Sequence, residues 1–169
     1  AMVWIDAHPD ITLPGDPYPG YHAMAVTACM GHGDAKIVAE LPAAFDPSKI
    51  LFVGLRNWER GEIKARQHQY GIKHLTPEEV AADSDALRAW LKSCGASKVV
   101  VHFDMDVLDP AEIVAAVGTD PDGMKIEAVI RVINDIAAEK ELVGLTVAEP
   151  MPRTAIRLRD MLGRLPLLE

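Results

Sequence analysis

Residues 2–10 read Met2-Val3-Trp4-Ile5-Asp6-Ala7-His8-Pro9-Asp10, an apolar run that ends in a carboxylate, an imidazole and a second carboxylate. A second stretch of the same kind follows the valines at 99–101 and reads His102-Phe103-Asp104-Met105-Asp106-Val107-Leu108-Asp109-Pro110. Because alternate side chains of an extended segment share a face, the polar side chains of each cluster can turn toward one point. Parallel strands with neighbouring ends would bring the two clusters together. The two stretches therefore predict a parallel sheet with a ligand site at its edge.

Short apolar runs alternate with amphipathic stretches along the rest of the chain, which is the pattern of parallel βα units. The predicted strands are 2–5, 50–55, 72–75, 98–103 and 142–148. Thr76-Pro77-Glu78-Glu79 predicts a capped helix that runs to about Cys94. A second helix is expected from about Asp122 through Ile136, where apolar residues recur three and four apart. We predict one α/β domain over residues 1–169, with three α/β/α layers around a doubly wound parallel sheet.

The composition limits the classes of partner. The 169 residues are 49% hydrophobic and carry a net charge of -8, which suits a globular domain with a sizeable core. No basic cluster is present that would follow a phosphate backbone, which argues against nucleic acid as a partner. No apolar run approaches the roughly 18 residues that span a bilayer. Cys29 and Cys94 lack metal or redox spacing, so we expect reduced thiols and a cytoplasmic location.

The two clusters supply donors for a divalent metal ion. The candidate ligands are Asp6, His8, Asp10, Asp104 and Asp106, which are four carboxylates and one imidazole. Without a thiolate, this set fits Mn²⁺ better than a structural zinc site. Bridging carboxylates could hold two ions about 3.5 to 4 Å apart. The alternative interpretation is that these residues form turns and helix caps. The remaining histidines fall outside the ligand spacing and are interpreted as structural or surface residues: His32, His68, His74 and His102.

The segments DAHPD (6–10) and HFDMDVLDP (102–110) resemble the two aspartate signatures of the ureohydrolase family, which includes arginase, agmatinase and formimidoylglutamase. Residues 52–57 resemble a family strand, Gly118-Thr119 a substrate loop, and residues 146–150 the last strand with its glutamate. These landmarks stand in the family's order and cover most of the chain. The resemblance implies an arginase-like fold with strand order 5-4-1-2-3, and hydrolysis of guanidino or formimino groups at a binuclear manganese centre.

Roles for individual residues also follow from the resemblance. It implies that Asp6 and Asp104 bridge the two manganese ions. It implies that His22 protonates the leaving amine and that Asp10 orients a hydroxide bridging the ions. Glu149 would pair with the cationic amidine of the substrate. From the residues alone, His22 would be an ordinary histidine at a helix start and Glu149 a solvated charge or cap.

Three further positions are less directly connected to the chemistry. The resemblance places Glu59 opposite the substrate's amino group, although Asn57-Trp58-Glu59 departs from the usual acidic pair, and it places Thr119 in the substrate loop. Arg56, at a strand end, is interpreted as a structural ion-pair partner. Thr12 and Tyr18-Pro19-Gly20 stand where arginases hold the amino-acid end of arginine. No arginine-specific contact is evident from them, so another guanidino or formimino substrate remains open.

The sequence contains no counterpart of the family's N-terminal third, which carries a GGxH signature. We therefore expect one ion to be held through Asp6, His8, Asp104 and Asp106, and the other to be held weakly by carboxylates and water. Ala1 before Met2 is expected to be a cloning remnant, with a truncated or misassigned start. The strand at 142–148 would then be an open sheet edge, which invites a homodimer.

The predicted function is that of a manganese-dependent hydrolase of small guanidino or formimino compounds. A second hypothesis is a degenerate or truncated family member without turnover that serves as a metal-binding or scaffold module. A deacetylase-like zinc hydrolase would share the broad architecture. It lacks support here, because the two aspartate clusters together have the two-metal form.

Overall fold

The computed structural model describes residues 1–151 and 155–168. The strands are β1 (Met2–Ile5), β2 (Ile50–Val53), β3 (Lys73–Leu75), β4 (Lys98–Asp104) and β5 (Glu141–Ala148). The α-helices are α1 (Ala25–Cys29), α2 (Ala35–Val38), α3 (Gly61–Tyr70), α4 (Asp85–Ser93), α5 (Ile126–Glu139) and α6 (Ala155–Leu162). Short 3₁₀ turns lie at His22–Met24, Pro47–Lys49, Glu78–Val80 and Met105–Val107.

The five strands form one parallel sheet in the order β3-β2-β1-β4-β5. The predicted order 5-4-1-2-3 is therefore confirmed. β1 lies at the centre and is buried along its whole length, in keeping with its unbroken apolar sequence. β3 and β5 form the two edges. In register, Ile5 of β1 lies opposite Phe103 of β4, so the acidic residues that follow both strands emerge side by side.

Alternate residues of the central strands enter two separate cores, one on each face of the sheet. Val3 and Ile5 pack with residues of α4, α5 and α6. Met2 and Trp4 pack on the opposite face with residues of α1 and α3. Both faces of the sheet are covered, which gives the three layers that the sequence predicted.

The helix predicted from Thr76 to Cys94 is divided in two. The capping box is present, because the Thr76 amide donates to Glu79 Oε2 at 2.8 Å and the Glu79 amide to Thr76 Oγ1 at 3.4 Å, but only a 3₁₀ turn follows. The guanidinium of Arg131, on α5, donates to the carbonyls of Val80, Ala81 and Asp83. Those carbonyls are thereby occupied by a side chain, and the helix begins again at Asp85.

The helix predicted to start near Asp122 begins at Ile126. Residues before it are held by the loop that follows β4: the Met124 amide donates to Val107 O at 2.8 Å and the Asp109 amide to Met124 O at 2.9 Å. A Cβ at Gly123 would lie 2.6 Å from this backbone, so the close approach requires glycine. These backbone hydrogen bonds compete with helix formation, so the helix begins at Ile126 and not near Asp122.

Two further expectations concern the cysteines and membranes. Cys29 and Cys94 both carry free thiols. Across residues 1–151 and 155–168, the structure contains no helix with the length and apolar character needed to cross a membrane.

Candidate metal centre

The polar residues at the ends of β1 and β4 form one buried cluster. Asp6, Asp104 and Asp106 are 2%, 8% and 7% exposed. One set of donor atoms, from Asp6, His8 and Asp106, lies with all members within 4.8 Å of one another. In this set His8 Nδ1 is 2.9 Å from Asp106 Oδ2 and 3.5 Å from Asp6 Oδ1. The predicted neighbourhood of the two sequence clusters is thus present in the fold.

Hydrogen bonds from the surrounding chain fix the carboxylates. Trp4 Nε1 donates to Asp6 Oδ2 at 2.9 Å, and the His8 amide donates to Asp6 Oδ1 at 2.6 Å. The Ala7 amide donates to Asp106 Oδ1 at 3.1 Å, and the Asp106 amide to Asp104 Oδ1 at 2.9 Å. Each oxygen retains lone-pair capacity for another partner, because a carboxylate oxygen accepts more than one bond. The cluster is therefore preorganised for a cation.

A second set of donors consists of Asp6, Asp104 and His102, again with all atoms within 4.8 Å of one another. The two sets share Asp6. Sequence analysis placed His102 outside the ligand spacing, whereas the fold places its ring beside two of the proposed ligands. The signal was present in the sequence: His102 and Asp104 alternate along a strand, and alternate residues share a face.

A carboxylate and an amide hold the other side of the His8 ring. His8 Nε2 is 3.2 Å from Asp120 Oδ2, and Asn57 Nδ2 donates to Asp120 Oδ1 at 2.7 Å. A histidine that ligates a metal through one ring nitrogen commonly donates its other N–H to a carboxylate. Asp120 could not be recognised from the sequence, because nothing in its local pattern shows which strand end its loop approaches.

Asp10 lies beside the cluster but belongs to neither of the two donor sets. Its backbone is left-handed, with φ at 48°, and its carbonyl accepts from the Val26 amide at 3.0 Å. The side chain lines the same cavity as Asp6 and His8. Asp10, the predicted fifth ligand, therefore lies near the candidate centre, but it belongs to neither group of donor atoms that lie within 4.8 Å of one another.

Burial and mutual repulsion shape the protonation of the metal-free cluster. Loss of solvation, followed by the charges of neighbouring aspartates, raises the pKa of Asp104 to about 7. Asp6 has its pKa raised to about 8, chiefly by loss of solvation. Burial likewise raises the pKa of Asp10 well above its usual range. Burial alone would lower the pKa of His8, but its hydrogen bonds to Asp106 and Asp6 outweigh this and raise that pKa to about 11.

These shifts bear on whether the donor set fits a metal ion. Carboxylates that are buried together carry negative charge that must be neutralised by protons or by a cation. Asp106 shows the effect of a cationic partner directly, because burial opposes its ionisation while the hydrogen bond and charge of His8 lower its pKa overall. The carboxylate and imidazole donors, without a thiolate among them, suit Mn²⁺, Zn²⁺ or Fe²⁺. The residues present therefore fit a divalent cation.

A cavity of about 460 Å³ opens above the cluster, a size that suits a small-molecule ligand. His22, Glu59 and Glu149 all line it. His22 is exposed, and its Nε2 is 3.2 Å from the hydroxyl of Tyr18. Thr119 is exposed and does not contact the cavity, although the neighbouring Gly118 does. The fold thus collects all the predicted catalytic and substrate residues around one opening except Thr119.

Three acidic residues of this cavity share an unusual backbone conformation. Asp10, Glu59 and Glu149 have φ values of 48°, 59° and 58°, in the left-handed region that favours glycine. Residues other than glycine are uncommon there and cost roughly 1 to 2 kcal/mol each. Such conformations persist where surrounding structure imposes them, and they cluster at functional sites.

Arg56 was expected to form an ion pair and instead contacts main-chain carbonyls. Its guanidinium donates to Pro121 O at 2.9 Å, Asp106 O at 3.0 Å and Asp120 O at 2.8 Å. It also reaches the carbonyls of Gly54 and Val107, at 3.2 and 3.3 Å. Arg56 therefore joins the loop of Asp106 to the loop of Asp120, so its role is structural but not that of an ion pair.

Residues 1–160 match the model of the arginase family. Among curated relatives, an arginase of Entamoeba histolytica is 29% identical over 90% of this chain and 52% of its own length. An N(omega)-hydroxy-L-arginine amidinohydrolase of Streptomyces lavendulae is 30% identical over 88% of this chain and 50% of its own length. The chain spans about half the length of the curated relatives it matches.

Solved structures show the same fold. The arginase of Entamoeba histolytica in complex with L-ornithine has a TM-score of 0.80 at 24% identity, over 90% of this chain and 53% of that chain. Arginase from Bacillus subtilis also has a TM-score of 0.80, at 19% identity, over 90% of this chain and 55% of that chain.

Proposed function

Since the chain belongs to the arginase family, we propose that it is a manganese-dependent hydrolase that cleaves a C–N bond in a linear guanidino or formimino compound. The observation that carries this proposal is the pair of donor sets that share Asp6 at the base of the 460 Å³ cavity. Manganese bound there would lower the pKa of water and so supply a hydroxide nucleophile at neutral pH. Asp6, His8, Asp104 and Asp106 are the residues that would hold it.

The side chains around the cavity have distinct proposed roles. Asp10, which lines the cavity beside the donor sets, would orient the nucleophile by hydrogen bonding. Glu149 would attract the cationic amidine group of the substrate, and its charge is already felt at Asp104. His22 would give a proton to the leaving amine, because an imidazole that lines the cavity can act as a general acid. Its exposed position beside Tyr18 leaves it free to exchange protons with solvent.

The substrate class rests on the outer part of the cavity. Glu59 lines the cavity and would face a basic amino group at the far end of the substrate, whereas Thr119 lies outside the cavity lining. Thr12 cannot easily bind the amino-acid end of arginine, because its buried hydroxyl donates to Ala23 O at 2.7 Å. A substrate without an α-amino-acid end, or with a different one, is therefore as suitable as arginine.

The chain loaded with Mn²⁺ should be assayed for release of the amine product, which is ornithine from arginine and N-hydroxy-L-arginine, putrescine from agmatine and glutamate from formimidoylglutamate. Turnover of at least one compound is expected. An Asp106→Asn variant should have at least a hundredfold lower activity, because Asp106 belongs to a donor set. The matched control is Asp122→Asn, outside the cavity lining, which should retain activity. Metal-loaded chain that turns over no compound would refute the hydrolase proposal.

A second function is favoured by one specific observation, the match to only about half of each relative's length. Under this proposal the chain binds metal without turnover and acts as a metal-binding or scaffold module. Stoichiometric Mn²⁺ binding together with inactivity on the whole panel would support it. The free thiols of Cys29 and Cys94 fit a reducing, cytoplasmic location for either function.

A further inference from the structure

The second donor set contains a histidine that the aspartate clusters do not require. His102 lies on β4, directly opposite Trp4 of β1 and Thr146 of β5. A donor nitrogen of its ring lies within 4.8 Å of carboxylate oxygens of Asp6 and Asp104. The histidine therefore stands at the same strand ends as the proposed ligands, on the cavity side of the sheet.

Two neighbours hold the ring in one orientation. The ring stacks on Trp4 with centroids 3.7 Å apart and planes inclined by 16°. His102 Nδ1 is 2.7 Å from the hydroxyl oxygen of Thr146. With Nδ1–H donated to that oxygen, Nε2 is the ring nitrogen that keeps a lone pair. This is the arrangement of a metal-ligating histidine, in which one nitrogen faces the ion and the other is hydrogen-bonded to a supporting group.

The two donor sets have the same composition. Asp6 with His8 and Asp106 forms one, and Asp6 with His102 and Asp104 forms the other, so each has two carboxylates and one imidazole. His8 is supported by Asp120, and His102 is supported by Thr146. We propose that His102 Nε2 is a ligand of the second metal ion, with Asp6 shared between the two ions. This inference rests on the proposed metal-dependent function and adds a ligand to it.

If His102 had a purely structural role, its substitution would have a different effect. Stacking on Trp4 and the bond to Thr146 could satisfy the ring without any metal. In that case His102 substitution would change the stability of the chain and leave the number of bound ions unchanged. Counting ions and imidazole ligands separates the two roles.

The experiment uses the full chain with Mn²⁺ alone. Isothermal titration should give two ions per chain, and pulsed electron paramagnetic resonance of the bound Mn²⁺ should show nitrogen couplings from two imidazoles. His102→Ser should remove one of the imidazole couplings and lower the affinity for one of the two ions by at least tenfold. His68→Ser, on the exposed side of α3, is the matched control and should behave as the unsubstituted chain.

Thr146→Val keeps the shape of a β-branched side chain and removes the supporting oxygen. It should lower the affinity for the same ion by roughly 10- to 100-fold while both imidazole couplings remain, as expected for loss of a supporting partner. A structural histidine would not produce this effect.

Three outcomes would contradict the proposed role of His102, and the last of them would also contradict the metal-dependent function. If the unsubstituted chain binds two ions but shows one imidazole coupling, His102 is not a ligand, and this holds even if His102→Ser fails to fold. If His102→Ser keeps both ions and both couplings, the inference fails while the metal-dependent function stands. If the unsubstituted chain binds no Mn²⁺, the proposed function fails and the inference fails with it.

Discussion

Asp6 is the residue on which the whole centre depends. Its oxygens accept from Trp4 Nε1 and from the His8 amide, so the carboxylate is held by one side chain and one backbone group. It is also the only residue common to the two donor sets found among residues 1–151 and 155–168. Because it is buried, its negative charge is costly until a proton or a cation neutralises it.

The metal-free chain should lose stability as the pH rises from 5 to 8. Asp6 and Asp104 have folded-state pKa values of about 8 and about 7, against roughly 4 when unfolded. The folded chain therefore binds more protons than the unfolded chain in this window, and the free energy of unfolding falls with increasing pH. Thermal melting in EDTA should show a falling Tm.

Asp6→Asn is the control for this pH dependence, because it keeps the side-chain shape and removes one titrating group. Its Tm should change less steeply between pH 5 and 8. Excess Mn²⁺ should restore Tm most strongly at pH 8, where fewer protons must be displaced from the carboxylates into solvent before the metal binds. A Tm that rises with pH in EDTA would contradict the raised pKa values.

Asp120 should influence metal binding without being a ligand. Asp120→Asn weakens the contact that orients His8 Nε2, so the affinity for Mn²⁺ should fall roughly 10- to 100-fold. Calorimetric titration measures the change. Asp122→Asn, two residues away and exposed, should leave the affinity unaltered, and equal effects of the two variants would refute a specific role for Asp120.

The candidate ligands that alternate along one strand end can be predicted from the sequence, whereas the neighbours that come from other parts of the fold cannot. Asp6, His8, Asp104 and Asp106 follow apolar runs at alternate positions, and that pattern alone predicts a shared point. Asp120 comes from a loop between β4 and α5, and only the folded path of that loop shows that it meets His8. His102 follows the alternating pattern too, but it lies within the strand, where a histidine is ordinarily structural.

At the scale of elements, the loops after β2 and β4 are joined through one guanidinium. Arg56 donates to five carbonyls, including those of Asp106 and Asp120. The helix break near Ala81 has a similar cause, because Arg131 occupies carbonyls that a continuous helix would use. A capping signal predicted the first of these helices and apolar periodicity predicted the second. A side chain of α5 divides the first helix, and backbone hydrogen bonds of the loop after β4 delay the start of the second.

Replacing Arg56 with lysine should destabilise the chain. An ammonium cannot reach five carbonyls that lie on different loops, and each buried acceptor left without a partner costs about 1 to 3 kcal/mol. Urea unfolding should show the loss, together with weaker Mn²⁺ binding. The control is Arg164→Lys, in an exposed ion pair with Glu127, which should produce a small change. Equal losses would mean that the carbonyl contacts contribute little.

At the scale of the whole molecule, the sheet is open at β5. Among residues 1–151 and 155–168 this strand pairs with β4 alone, and its exposed side chains include Val143 at 48%. Open strand edges with apolar side chains associate with other chains. The relatives that this chain matches are about twice as long, and the described residues form the three-layer α/β/α arrangement that the sequence predicted.

A chain of these 169 residues should therefore form a homodimer through the β5 edge. Size-exclusion chromatography with light scattering should give a dimer mass at micromolar concentration. Val143→Lys should shift the mass toward the monomer, because a charged side chain on an edge strand opposes pairing. Val117→Lys, also exposed but away from the sheet edge, serves as the control. A monomer at all concentrations would contradict the prediction.

The left-handed backbone at Asp10, Glu59 and Glu149 has a consequence for directed evolution. Glycine at any of the three would relieve the conformational cost and increase thermal stability. Each such gain would remove a carboxylate from the cavity. A library screened only for heat resistance should therefore enrich glycine at these positions, whereas a library screened for turnover should exclude it. Opposite enrichment in the two screens would show that the three carboxylates serve turnover and not stability.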